Sequence, residues 1–78
     1  MIKAFVMLHV DLGCEKDVLR ELRKMDGVVE AYIVDIVDGV HDAVVVLEAK
    51  GLEELKKLIS KTRGMNNVQS TLTMIAVE

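Results

Sequence analysis

Apolar residues follow two different spacings along the chain, and together these predict four strands and two helices. In the strands they occupy consecutive or alternating positions, whereas in the helices they recur every three or four residues. The predicted strands cover residues 1–10, 28–37, 42–49 and 68–77, and the predicted helices cover residues 14–25 and 51–63. This β-α-β-β-α-β order predicts an α+β fold of the ferredoxin-like type, in which a four-stranded antiparallel sheet carries both helices on one face.

Each predicted helix has an apolar stripe on one side and a glycine close to its end. The stripes are predicted to consist of Val18, Leu19, Leu22 and Met25 in the first helix and of Leu52, Leu55, Leu58, Ile59 and Thr62 in the second. Gly27 and Gly64 follow the two helices, at positions where a helix commonly ends. Between the second and third strands, Asp38-Gly39 predicts a tight hairpin turn.

Both faces of the predicted sheet carry apolar residues, although the helices cover only one of them. In the first strand, for example, Val6 and Leu8 alternate with Phe5 and Met7, and the other strands show the same lack of a polar side. A sheet face that meets water is normally polar. The pattern therefore predicts that a second copy of the chain covers the open face, most simply in a two-fold homodimer.

Composition and charge narrow the range of functions. The chain has 78 residues, enough for a single small domain over 1–78, and 51% of them are apolar, which favours oligomerisation. A net charge of −3 and only two aromatic residues argue against direct contact with nucleic acid. Cys14 is the only cysteine, so we expect a reducing compartment, the cytoplasm. No apolar run approaches the ~20 residues of a membrane helix, so we expect no membrane contact.

The sequence contains no pattern typical of an active site. His9 and His41 lack the neighbouring ligands of a zinc site. Cys14 begins a predicted helix, but no base lies near it in the sequence, and the glycines fall at element junctions instead of forming a phosphate-binding loop. We therefore expect no catalytic residue, no metal and no cofactor.

Two short motifs are more informative. Gly39-Val40-His41-Asp42 leaves the predicted hairpin, and Val68-Gln69-Ser70-Thr71-Leu72-Thr73 opens the last strand. With the order of elements, they resemble the effector-binding (RAM) domain of the Lrp/AsnC transcription regulators, which shows Gly-x-aromatic-Asp and Val-x-x-Thr-x-Thr at these places. His41 replaces the aromatic residue, and Asn66-Asn67 stands where the family often has Pro-Gly. The resemblance covers the whole chain but includes no helix-turn-helix domain, so we expect a stand-alone ligand-binding domain.

The resemblance implies homodimers joined through their sheets, which assemble into rings, often octamers, and bind amino-acid effectors between dimers. It also suggests full-length Lrp/AsnC regulators as partners. By position, the ligand-binding residues are Gly39, His41, Asp42, Ser70, Thr71 and Thr73. Asp42 suits the ammonium group of an amino acid, and the backbone at Gly39 can approach its carboxylate. Thr71 and Thr73 share a strand face and offer hydroxyl groups, whereas Ser70 is expected on the opposite side.

The same residues also have simpler interpretations. Asp42 can serve the backbone of the hairpin, and Thr71 and Thr73 suit a strand whatever their function. Two other functions stay open on the sequence alone. One is a dimeric ferredoxin-like enzyme of the monooxygenase type, and the other is a structural assembly element that binds no ligand.

Overall fold

The computed structural model describes residues 1–36 and 40–77, with the side chains of residues 36, 40 and 41 outside the description. The strands are β1 (Ile2–Val10), β2 (Val28–Ile36), β3 (Val40–Ala49) and β4 (Val68–Ile75), and the helices are α1 (Glu15–Lys24) and α2 (Leu52–Arg63). The predicted fold class and order of elements are confirmed. Two strand bounds were wrong by two residues, since β3 begins at Val40 and β4 ends at Ile75. The predicted Asp38-Gly39 turn lies outside the described residues.

The four strands form one sheet in the order β2-β3-β1-β4, and neighbouring strands are antiparallel. Helix α1 packs on β2 and β3, and α2 packs on β3, β1 and β4. Both helices therefore lie on the same face of the sheet, as predicted. The edge strands β2 and β4 belong to different halves of the chain.

The register of the strands decides which residues share a face, because directly paired residues point to the same side. Val6 pairs with Val45 and Thr73 on the face that the helices cover. Met7 pairs with Val44 and Leu72 on the other side. We call that other side the open face. The described side chains that it carries are Lys3, Phe5, Met7, His9, Glu30, Tyr32, Val34, Asp42, Val44, Val46, Glu48, Ser70, Leu72 and Met74.

The hydrophobic core lies between the sheet and the two helices. Its largest fully buried side chains are Val6, Leu8, Val18, Leu22, Val45, Leu47, Leu55 and Thr62. Leu19, Met25 and Ile59 are partly buried against it, as the predicted stripes require. Leu52 was predicted to be buried and is 56% exposed. It is the first residue of α2 and lies outside the packed cluster, although its spacing matches the stripe.

The turns after the two helices have the same construction. After α1, Met25 N–H donates to Leu22 O, and Gly27 has φ +91°. Forty residues later, Met65 N–H donates to Thr62 O, and Asn67 has φ +68°. Glycine and asparagine are the residues that most readily adopt this left-handed conformation. The second turn is also fixed to the first loop, because Asp11 N–H donates to Asn67 O at 2.8 Å.

Candidate ligand site and sheet interface

A row of polar side chains crosses one end of the open face. His9 on β1 lies opposite Asp42 on β3 and opposite Ser70 on β4, so all three point to the same side. His9 Nδ1 donates a hydrogen bond to Asp42 Oδ1 at 2.9 Å. These are the residue types of a nucleophilic triad, but in the described chain Ser70 makes no hydrogen bond to His9. The row is therefore a His–Asp pair with a neighbouring serine.

The two members of this pair differ in their access to solvent. The Asp42 side chain is only 11% exposed, whereas that of His9 is 44% exposed. A buried carboxylate needs hydrogen-bond partners, and the imidazole provides one. A carboxylate has further lone pairs and can accept more than one hydrogen bond. The structure thus gives Asp42 a side-chain partner that the sequence pattern does not indicate.

His9 is the residue of this row that sequence reasoning left without a role. Alternation placed it with Phe5 and Met7 on the face away from the core, and this placement is correct. Its pairing with Asp42, however, joins residues 33 positions apart in the chain. The alternation of a strand fixes its faces but not which residue of the next strand lies opposite, so the sequence carried no signal for this contact.

The two threonines of the last-strand motif lie on the other side of the sheet. Thr71 pairs with Leu8 and Thr73 pairs with Val6, so both point toward the helix-covered face. Both are partly buried, and the Thr73 hydroxyl is a buried group for which the described residues offer no hydrogen-bond partner. Ser70 points the opposite way, as predicted. The four expected ligand-binding residues whose side chains the structure describes, Asp42, Ser70, Thr71 and Thr73, are thus divided between the two faces of the sheet.

The other two residues of the hairpin motif are described only in part. Gly39 lies outside the described residues, so its expected place near a carboxylate stays a prediction. The backbone of His41 belongs to β3 and pairs with Asp35, but its side chain is outside the description. The role of all six residues in ligand binding stays a prediction.

Most of the open face is apolar. Its central row is Tyr32, Val44, Met7 and Leu72, in sheet order, and the next row contains Val46, Phe5 and Met74. Four of these side chains are between 37% and 59% exposed, namely Phe5, Met74, Tyr32 and Leu72. Polar residues flank the apolar rows, with the His9–Asp42 pair at one end and a Lys3–Glu48 ion pair (Nζ to Oε1, 3.7 Å) at the other. An apolar surface with a polar rim is typical of a protein interface.

Tyr32 is the only tyrosine, so the titration of its hydroxyl group is a probe of the open face. Its hydroxyl donates a hydrogen bond to the carboxylate of Glu30. That bond and the negative charge of Glu30 raise the pKa of Tyr32 above its ordinary value of 10.0. The protonated phenol is therefore the form that this surface favours.

Residues 1–36 and 40–77 contain neither a cluster of metal ligands nor a membrane-spanning helix. No three histidine, cysteine or acidic side chains in these ranges lie close enough together to hold a metal ion. Neither α1 nor α2 is long and apolar enough to cross a membrane.

The comparisons with known proteins agree with one another on the family. The family model of the Lrp/AsnC ligand binding domain matches residues 3–78. The crystal structure of FFRP-DM1 is 36% identical with a TM-score of 0.89, covering 99% of this chain and 100% of that one. A hypothetical protein from Pyrococcus horikoshii, PHS023, is 35% identical with a TM-score of 0.88, covering 100% of this chain and 92% of that one.

A longer protein contains the same fold. Escherichia coli AsnC has a TM-score of 0.82 and covers 99% of this chain, but this chain covers only 51% of AsnC. At 23% identity, this likeness shows the fold alone. A search of the curated proteins gives no match. On the family model and the two relatives above 30% identity, the chain belongs to the Lrp/AsnC ligand-binding domain family, whose domains are regulatory.

Proposed function

We propose that this chain is a non-enzymatic regulatory domain that binds an amino acid and assembles through its open face into dimers and rings of dimers. The exposure of the central apolar rows is the observation that carries this proposal. Each Å² of apolar surface removed from water is worth roughly 25 cal/mol, so side chains as exposed as Leu72 and Tyr32 favour association. A second copy provides a surface of the same shape and polarity, as two-fold symmetry requires.

The placement of the predicted ligand residues supports a site shared between chains. Asp42 and Thr71 point to opposite sides of one sheet, so a small molecule cannot touch both within a single chain. A site that uses both therefore combines residues of different chains, which is what an effector site between assembled dimers requires. In such a site Asp42 accepts a hydrogen bond from the ammonium group, and the hydroxyl of Thr71 donates one to the carboxylate.

In this proposal the domain acts by changing its assembly. A ligand shifts an equilibrium only through its different affinity for the two states, and a molecule bound between chains favours the assembled one. The same open face also suits a larger family member that contains this fold, so regulators of the AsnC type are candidate partners. The single cysteine is compatible with action in the cytoplasm.

The test is calorimetry combined with light scattering, with each of the twenty amino acids at millimolar concentration. We expect at least one of them to release or absorb heat and to raise the mean particle mass. Asp42→Asn should weaken that response at least about tenfold, because a charge-assisted hydrogen bond is lost.

Thr71→Val provides a second, milder change on the other side of the sheet, and Ser60→Ala, on the exposed side of α2, is the matched control. Heat and scattering that do not change with any of the twenty amino acids would remove the effector part of the proposal. Assembly would then be the only function left, as in the structural alternative.

A further inference from the structure

Charged residues are unevenly distributed along the chain. Twelve of the thirteen acidic residues precede Leu55, and no aspartate or glutamate occurs in residues 55–77. The same stretch contains four cations, all of them exposed on α2, namely Lys56, Lys57, Lys61 and Arg63. We call these four residues the cationic patch. A chain with a net charge of −3 thus carries a concentrated positive charge on one helix.

The cations of the two helices differ in their partners. On α1, Arg20 and Lys24 form ion pairs with carboxylates of the same helix, and Arg23 donates a hydrogen bond to a backbone carbonyl of β2. For the cationic patch, in contrast, no carboxylate in residues 1–36 and 40–77 lies within 4.0 Å of any of the four side-chain cations. Its positive charge is therefore available to a partner molecule.

The stability of the helix does not explain this arrangement. Lys57 and Lys61 are four residues apart, and like charges at this spacing destabilise a helix. Cations near the C-terminal end of a helix interact favourably with its dipole, but the effect is confined to the last turn and does not reach Lys56 or Lys57. Because both side chains are also exposed, neither contributes to the core. Their presence favours a role in binding.

The cationic patch has the length of a short peptide segment. Lys56 and Arg63 are seven residues apart, about two helical turns, so they lie on one side of α2. Lys57 and Lys61 form a second row beside them. The two rows extend over roughly 10 Å along the helix axis, which corresponds to about three residues of an extended chain.

Acidic residues border the cationic patch on two sides. Glu53 and Glu54 lie in the first turn of α2. Asp17 and Glu21 of α1 line the groove between the two helices, which Lys61 also lines. These carboxylates confine the positive potential to residues 56–63 and repel a polyanion that extends beyond them.

We propose that the cationic patch is a docking surface for a short acidic segment of another protein, whose carboxylates pair with the four cations. Nucleic acid fits less well, because a duplex is longer than the patch and residues 55–77 contain no aromatic side chain on which bases could stack. Both helices lie on the side of the sheet away from the open face, so a dimer joined through the open faces presents one patch on each chain. The inference goes beyond the proposed function, since it uses neither the open face nor Asp42.

The experiment titrates the ¹⁵N-labelled full chain with acetyl-tetraglutamate amide and records the amide chemical shifts. We expect the amides of residues 56–63 to shift. The affinity should fall at least about tenfold between about 50 and about 500 mM NaCl, because salt screens exposed charges. Acetyl-tetralysine amide, the peptide of opposite charge, should leave these amides unchanged.

Two double variants with the same change in net charge connect the binding to the patch. Lys57→Gln with Lys61→Gln should weaken tetraglutamate binding at least about fivefold, because two of the four cations are lost. It should not lower the stability of the fold, since it also removes a like-charge pair. Arg20→Gln with Lys24→Gln, on α1, is the matched control and should leave binding unchanged, because these cations already have partners in the chain.

Four results would overturn the proposal. The first is wild-type protein whose amides at residues 56–63 do not respond to tetraglutamate, and the second is equal weakening in both double variants, which would reflect net charge alone. The third is a duplex DNA of about 20 base pairs that binds more tightly than the peptide and loses its binding in Lys57→Gln with Lys61→Gln. The fourth is a lower particle mass of that variant without any peptide, which would make a second copy of the chain the occupant.

The effector proposal can fail separately. Asp42→Asn should leave tetraglutamate binding unchanged, because Asp42 lies on the open face.

Discussion

Both faces of the sheet carry rows of apolar side chains, but the two faces have different surroundings. On the covered face, Val6 and Leu8 are 0% exposed, because α1 and α2 pack over them. On the open face, Phe5 is 37% exposed, and Leu72 is 59% exposed. Strand residues alternate between these surroundings one position at a time. The sheet therefore has two apolar surfaces, and the helices of the same chain cover only one of them.

Because of this difference in exposure, burial on each face contributes to a different process. Burial on the covered face stabilises the fold of each chain, since its side chains contact α1 and α2 of the same chain. Burial on the open face requires a second molecule and therefore depends on protein concentration. A substitution on the covered face should therefore change the folding equilibrium of each chain. A substitution on the open face should instead change the association equilibrium between chains.

The largest effect is expected for a truncation on the covered face. Leu8→Ala removes a fully buried side chain and should lower the free energy of unfolding by about 2–5 kcal/mol. Leu72→Ala, in the exposed central row, should change the stability of the single chain by no more than about 0.5 kcal/mol. Chemical denaturation over a hundredfold range of protein concentration measures both.

The two variants should differ in how their loss of stability depends on protein concentration. The loss in Leu8→Ala should be the same at every concentration, whereas Leu72→Ala should lose stability chiefly where the protein is associated. Equal losses at all concentrations in both variants would mean that the two faces do not have the separate tasks assigned to them.

A smaller loss of stability should result when a side chain is added at Gly27, on the side of the sheet that the helices cover. Its φ of +91° disfavours any side chain, and an added Cβ would lie 2.6 Å from Leu58 Cδ1. Gly27→Ala should therefore cost about 2 kcal/mol in the free energy of unfolding. Gly13 has a similar φ of +87°, but a Cβ added there would have no atom within 4 Å, so Gly13→Ala should cost only about 1 kcal/mol. Equal costs in the two variants would show that Leu58 moves aside freely.

The smallest effect concerns the titration of Tyr32 on the open face. Its absorbance at high pH should change with a midpoint above 10.0, because the protonated hydroxyl donates to the negative Glu30. Any stability that this bond contributes is present below pH 10.0 and is lost as pH rises through the raised pKa. Glu30→Gln removes the charge and should lower the midpoint toward 10.0.

This titration also sharpens the comparison of the faces. If a second copy covers Tyr32, desolvation of the phenolate should raise the midpoint further as protein concentration increases. A midpoint that does not depend on concentration would indicate that Tyr32 remains in water in the assembled protein.

Much of the fold could be predicted because its signals are local. Alternation in residues 1–10 separates Val6 from Met7, and the stripe through Val18 and Leu22 identifies the buried side of α1. The same local argument was wrong for Leu52, because a matching spacing cannot show where the packed region of a helix begins. In the turn after α1 the predicted Gly27 has the left-handed conformation, but after α2 the predicted Gly64 has φ −87° and Asn67 has the left-handed conformation instead.

The site was less predictable because it depends on pairing between distant segments. The motifs identified Asp42 and Ser70, but only the register shows that His9 lies between them. Such contacts arise when helices and strands pack, and one sequence does not encode them as a repeating pattern.

Sedimentation equilibrium at micromolar concentration tests the pairing of open faces most directly. Wild-type protein should have a mass at least twice that of the 8.7 kDa chain. Leu72→Glu should reduce it to one chain without loss of secondary structure, because a two-fold interface would bury the new charge twice. Ile75→Glu places the same charge on the opposite face of β4, where the exposure is similar, and should leave the mass unchanged. A folded wild-type particle of 8.7 kDa, or equal dissociation in both variants, would contradict the account.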